Sequence, residues 1–105
     1  MLKAVIINDN FLIKAKERTV YESTDIKLKN SPILEAVMKT RTEDIMGGTL
    51  FVNYFPNLDE TGMIVRSGLT KVVCSVEPIT SDDLCAQEIF KESNIEFIIN
   101  KEIML

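Results

Sequence analysis

From residue 31 to residue 99, strand-sized apolar runs alternate with helix-length amphipathic runs, and this alternation restricts the architecture more than any other feature of the chain. Ser31-Pro32 opens the first helix, because serine caps free amides and proline at the first helical position gives up an N–H that has no partner there. The spacing places Ile33, Leu34, Val37 and Met38 on one face, and the helix is expected to fray before Gly47-Gly48. Residues 49–55 form a β-branched and aromatic strand halted by Pro56. A second helix covers residues 57–67 and closes at Gly68, where a left-handed residue is favoured. A strand at 71–76, a helix at 81–93 and a strand at 96–99 complete the pattern. In that third helix Asp82 and Asp83 suit the N-terminal dipole, with Leu84, Cys85, Ile89 and Phe90 as the inward stripe. Strands joined in this way through helices imply right-handed parallel crossovers.

Ahead of this pattern, residues 2–8 read as a mostly apolar strand. Phe11, Ile13 and Ala15 alternate with Leu12, Lys14 and Lys16 in a second, with Asn8-Asp9-Asn10 as turn formers between them. Residues 18–30 break into polar residues and read as a loop. The expected fold class is therefore α/β: a three-layer α/β/α arrangement, with a five-stranded mixed sheet, an N-terminal β-hairpin and three helices.

With 105 residues, 46% hydrophobic and 27% charged, the chain suits one folded domain with a single core. Its apolar runs, such as residues 4–7, fall far short of the roughly 18 residues of a membrane span, and its start lacks the pattern of a signal peptide. No membrane partner and a cytoplasmic location are expected. A net charge of -4, from 12 basic and 16 acidic residues scattered along the chain, leaves no basic stripe for a phosphate backbone, so no nucleic acid partner is expected. The two cysteines, Cys74 and Cys85, are expected to be reduced.

The stretch Gly48-Thr49-Leu50-Phe51-Val52-Asn53-Tyr54-Phe55-Pro56, followed by Thr61-Gly62-Met63-Ile64-Val65-Arg66-Ser67-Gly68-Leu69-Thr70-Lys71-Val72-Val73, resembles the deoxycytidylate deaminase branch of the cytidine deaminase-like superfamily. The similarity continues through Ser81-Asp82-Asp83-Leu84 and through Glu88-Ile89-Phe90-Lys91-Glu92-Ser93-Asn94-Ile95-Glu96. The opening hairpin is similar to the family's first two strands. The resemblance implies a cytidine deaminase-like fold and a single domain over residues 1–105 that lacks the family's usual N-terminal helix.

The family's chemistry needs a zinc ion held by one His or Cys and two Cys, with a glutamate moving protons between the zinc-bound water and the pyrimidine. Three ligands leave a fourth position open, and the metal brings the pKa of the water there toward neutrality. Carried over residue by residue, the first motif falls on Ser31-Pro32-Ile33, with serine for the ligand and isoleucine for the acid. The second falls on Pro56-Asn57-Leu58-Asp59-Glu60, with Asn57 and Glu60 for the cysteines. All four chemical positions, Ser31, Ile33, Asn57 and Glu60, are changed, and the chain contains no histidine.

The neighbouring carboxylates have structural readings. Glu35 turns about 200° from the lost acid position and faces solvent. Asp59 and Glu60 suit a helix start, where Asn57 and Glu60 have the spacing of a capping pair. Cys74 and Cys85, eleven positions apart, lack the spacing of a zinc knuckle, and Met38, Met46 and Met63 read as core filler. Where the family holds sugar and base, this chain has Lys14-Ala15-Lys16-Glu17-Arg18, a solvated charge run in which Lys16 or Arg18 could attract a phosphate.

These residues imply no catalytic group, no metal and no cofactor. The expected function is that of a pseudoenzyme, a catalytically inactive deaminase-like protein acting through protein–protein assembly, as a homo-oligomeric scaffold or the partner of an active subunit. The alternatives are a metal-free nucleotide-binding module and an enzyme of unrelated chemistry.

Overall fold

The computed structural model describes residues 2–8, 20–23, 31–103 and 105. Its elements are β1 (Leu2–Ile7), β2 (Val20–Ser23), α1 (Pro32–Lys39), α2 (Thr42–Ile45), β3 (Thr49–Val52), α3 (Leu58–Ser67), β4 (Lys71–Cys74), α4 (Ser81–Glu92) and β5 (Glu96–Ile99). The α/β class is as expected, and the sheet is mixed. Its strand order is β2-β1-β3-β4-β5, with β1 antiparallel to both β2 and β3, and the remaining neighbours parallel.

One face of the sheet carries the core. Ala4 and Ile6 of β1, Leu50 and Val52 of β3, and Val72 and Cys74 of β4 pack with Ile33 and Ala36 of α1, Ile45 of α2, Ile64 of α3, and Ala86 and Phe90 of α4. Strand alternation turns Val5, Phe51, Val73 and Ile98, which stand side by side in register, to the other face. Among the described residues the helices contribute to one core on one face. The order of the parallel strands explains this. The chain adds β3, β4 and β5 in one direction, and right-handed crossovers that never reverse direction deliver their helices to the same side.

Several local expectations are corrected. Residues 18–30, read as a loop, contain β2, which pairs Val20 with Val5 and Ser23 with Leu2; the second strand expected at residues 11–16 lies outside the described residues. Among the described residues there are four helices rather than three. The extra one, α2, forms where fraying was expected: Thr40 is extended, Arg41 Nε donates to Asp44 Oδ2 at 2.9 Å, and the turn drives Ile45 into the core. Asn8 Nδ2 donates to the carbonyls of Asp44 and Met46, both at 3.0 Å, and so closes that turn. Gly48 has to be glycine there, because a Cβ would stand 2.9 Å from the Ile45 carbonyl oxygen. Finally, the inward stripe of α4 is Ala86 and Phe90; Leu84 and Cys85 are exposed.

β3 stops at Val52 instead of running on to Phe55. The Asn53 side chain takes the place of the next ladder partner, since its Oδ1 accepts from the Lys3 N–H at 2.6 Å. The chain then turns through Tyr54 and Pro56 into α3, which closes at left-handed Gly68 as expected.

Candidate functional site

The openings of α1 and α3 meet at the end of β3, and the polar residues there face one another. Ser31 is the N-cap of α1, its Oγ accepting from the Leu34 N–H at 3.1 Å. Asn57 caps α3, its Oδ1 accepting from the Glu60 N–H at 2.8 Å while Glu60 Oε1 accepts from the Asn57 N–H at 3.0 Å. This is the reciprocal capping pair read from the spacing. Thr61 adds a donor to the Asn57 carbonyl at 2.8 Å.

The second oxygen of Glu60 takes two further hydrogen bonds. The Ser31 hydroxyl donates to Oε2, and so does the Tyr54 hydroxyl at 2.5 Å. Ser31, Glu60 and Thr61 are all fully buried. A buried carboxyl is costly unless hydrogen-bonded. Among the described residues, no buried side-chain nitrogen or oxygen lacks a partner. Burial above all, and then Glu60 as acceptor and as nearby charge, raises the Tyr54 phenol well above its ordinary value, with the Ser31 hydroxyl and the Ile33 backbone acting weakly the other way.

Three of the four positions singled out in the sequence, Ser31, Asn57 and Glu60, therefore come together. The fourth, Ile33, is fully buried and belongs to the apolar core. Tyr54 completes the cluster and was not singled out from the sequence. The available signal was its place just ahead of Pro56 and Asn57: a tyrosine at a strand end is commonly buried, and its hydroxyl then needs a partner.

The other candidates lie elsewhere. Glu35 is half-exposed and pairs with Lys39 at 2.8 Å along α1, and Asp59 is exposed. Cys74 is buried, its thiol donating to the Tyr54 carbonyl at 3.4 Å and pushed up by burial, while Cys85 is exposed; both are free thiols. Met38 and Met46, expected as core filler, are exposed, and Met63 is half-buried. The charge run at residues 14–18 lies outside the described residues.

The donor set does not suit zinc. A closed zinc site uses thiolate and imidazole, whereas a hydroxyl, an amide and a carboxyl converge here, each already engaged with the others or with the helix starts. Among the described residues, no group of three His, Cys, Asp or Glu is placed to hold a metal ion.

No family model matches the chain, and neither does any curated protein. Solved structures do. A diaminohydroxyphosphoribosylaminopyrimidine deaminase/5-amino-6-(5-phosphoribosylamino)uracil reductase from Thermotoga maritima aligns with a TM-score of 0.64 at 22% identity, over 93% of this chain and 29% of that one. RibD of Acinetobacter baumannii aligns with a TM-score of 0.71 at 19% identity, over 93% and 28%. The likeness is one of fold. It agrees with the deaminase-like architecture expected from the sequence, and the chain spans less than a third of the length of either protein.

Proposed function

We propose that this chain is a catalytically inactive deaminase-like protein that works by assembling with other chains, as a homo-oligomeric scaffold or as the partner of an active subunit. One observation carries the reading: the fully buried Glu60 carboxyl, held by Ser31, Tyr54 and Asn57, fills the place where the resemblance would put a metal and its water. Function resides in the site rather than in the fold, and at this site the Glu60 carboxyl is buried and hydrogen-bonded rather than turned to water. The proton-shuttle position, Ile33, carries no ionisable group.

Assembly is supported by the sheet face turned away from the helices, where Phe51 and Ile98 are only half-buried. No helix among the described residues is long and apolar enough to cross a membrane, and the proposal places the protein in the cytoplasm. The test is metal analysis of the purified protein, together with incubation with cytidine, deoxycytidine and their monophosphates. The proposal expects no stoichiometric zinc and no ammonia. Tightly bound zinc with ammonia release from any of the four substrates would overturn it.

A further inference from the structure

A zinc ion of the kind the resemblance implies would do two things: activate water, and pin together the chain segments that ligate it. A chain without that ion has to hold those segments in another way. We infer that the Glu60 carboxyl has taken over the mechanical role of the ion, as a metal-free cross-link fixing the openings of α1 and α3 to the turn after β3. A capping glutamate that served only its own helix would need no contact beyond the Asn57 N–H. Glu60 has that contact through Oε1 and spends Oε2 on two hydroxyls from other parts of the fold.

One of them belongs to Ser31, 29 positions earlier, which at the same time accepts from the first turn of α1. The other belongs to Tyr54, the residue that leads β3 toward Pro56 and α3. A single side chain thus closes a connection between three elements. Burial raises the stakes: with no water at hand, each hydroxyl that lost Glu60 would be left with an unsatisfied proton. The two helix starts also direct their amide dipoles at the cluster, which favours an electron-rich group at the junction. The inference rests on the reading of the site as metal-free and is independent of assembly, since it applies equally to a monomer.

Chemical denaturation of the full chain tests it. Tyr54→Phe is expected to lower the folding equilibrium constant by roughly tenfold, the effect of breaking a hydrogen bond to a buried carboxyl, and Ser31→Ala by at least as much, because it also removes the α1 cap. In a Glu60→Ala background the cost of Tyr54→Phe should shrink to about twofold or less, because the partner is already gone. If Glu60→Ala does not fold, two measurements on folded protein still decide. The melting temperature of the unsubstituted protein should be the same with a strong chelator, with added zinc and with neither, and the two single substitutions should show their cost. A chelator that lowers the melting temperature would overturn the inference, as would single substitutions that each change stability by less than about twofold.

Discussion

Asn57 and Glu60 exchange two hydrogen bonds at the start of α3, and this cap is separable from the longer reach of Glu60 toward Ser31 and Tyr54. Asn57→Ala removes the Oδ1 acceptor that caps α3, so it is expected to destabilise the protein by about 0.5–2 kcal/mol in urea unfolding. A variant as stable as its parent would show that those amides have another acceptor. The cap was legible because it is local, with residue types and spacing that suffice to name it. The burial of Glu60 was not, because it depends on Ser31, a residue from another helix, and on Tyr54, and no local rule connects them. Tyr54 offers a second measurement. A phenol whose folded value is raised contributes stability that is fully present below its ordinary value of about 10 and is lost as pH rises beyond it. Alkaline difference spectra should therefore show one phenol that ionises only as the protein unfolds. Tyr54→Phe should remove that component and flatten the loss of stability above about pH 10. A Tyr54 that titrates normally in the folded protein would contradict its burial against Glu60.

At the scale of elements, α4 shows the same capping logic at the surface. Thr80 Oγ1 accepts from the Asp83 N–H at 3.1 Å, and Asp83 Oδ2 accepts from the N–H groups of Ile79 and Thr80 at 2.9 and 3.1 Å. Desolvation opposes the charged form of Asp83, but the backbone donors of Ile79 and Thr80, with the Thr80 hydroxyl, outweigh it and hold the carboxyl below its ordinary value. A depressed carboxylate contributes stability above its unfolded value, near 4, and loses it as pH falls through the lower folded value. Urea unfolding as a function of pH should show the stability gap between the parent and Asp83→Asn closing below about pH 4. A gap that stayed constant into acid would mean that the carboxylate charge does not stabilise the cap. The helices and parallel strands were legible because caps, prolines, Gly68 and apolar periodicity all act locally. β2 was not: the run Val20-Tyr21-Glu22-Ser23 is four residues long and becomes a strand by pairing with β1. α2 escaped for a similar reason, since Asn8, from the end of β1, holds its last carbonyls. The stripe of α4 was misplaced because periodicity offers several candidate faces, and neighbouring elements select among them: Phe90 stacks on Phe97 of β5 with ring centres 5.3 Å apart, while Leu84 and Cys85 are turned outward.

At the scale of the whole molecule, the two faces of the sheet are unequal. The helices bury Ala4, Ile6, Leu50, Val52, Val72 and Cys74, while the row Val5, Phe51, Val73 and Ile98 stands opposite. Val5 and Val73 are buried within the chain, but Phe51 and Ile98 keep part of their surface in water, and β5 ends the sheet as an unpaired edge among the described residues. A half-covered apolar row beside an open strand edge is the kind of surface that another chain usually covers, and a symmetric pair is the commonest arrangement for doing so. Light scattering at micromolar concentration is therefore expected to give a mass above the 11.9 kDa of one chain. Ile98→Lys places a charge in the middle of that surface without touching the core on the helix side, so it should shift the mass toward one chain while the far-ultraviolet circular dichroism stays the same. Phe51→Ser, at the neighbouring strand position but one, should act in the same direction. If the unsubstituted protein runs as a monomer at high micromolar concentration, and neither substitution changes its behaviour, the open face is not a site of self-association, and the assembly reading would then require a partner of a different sequence.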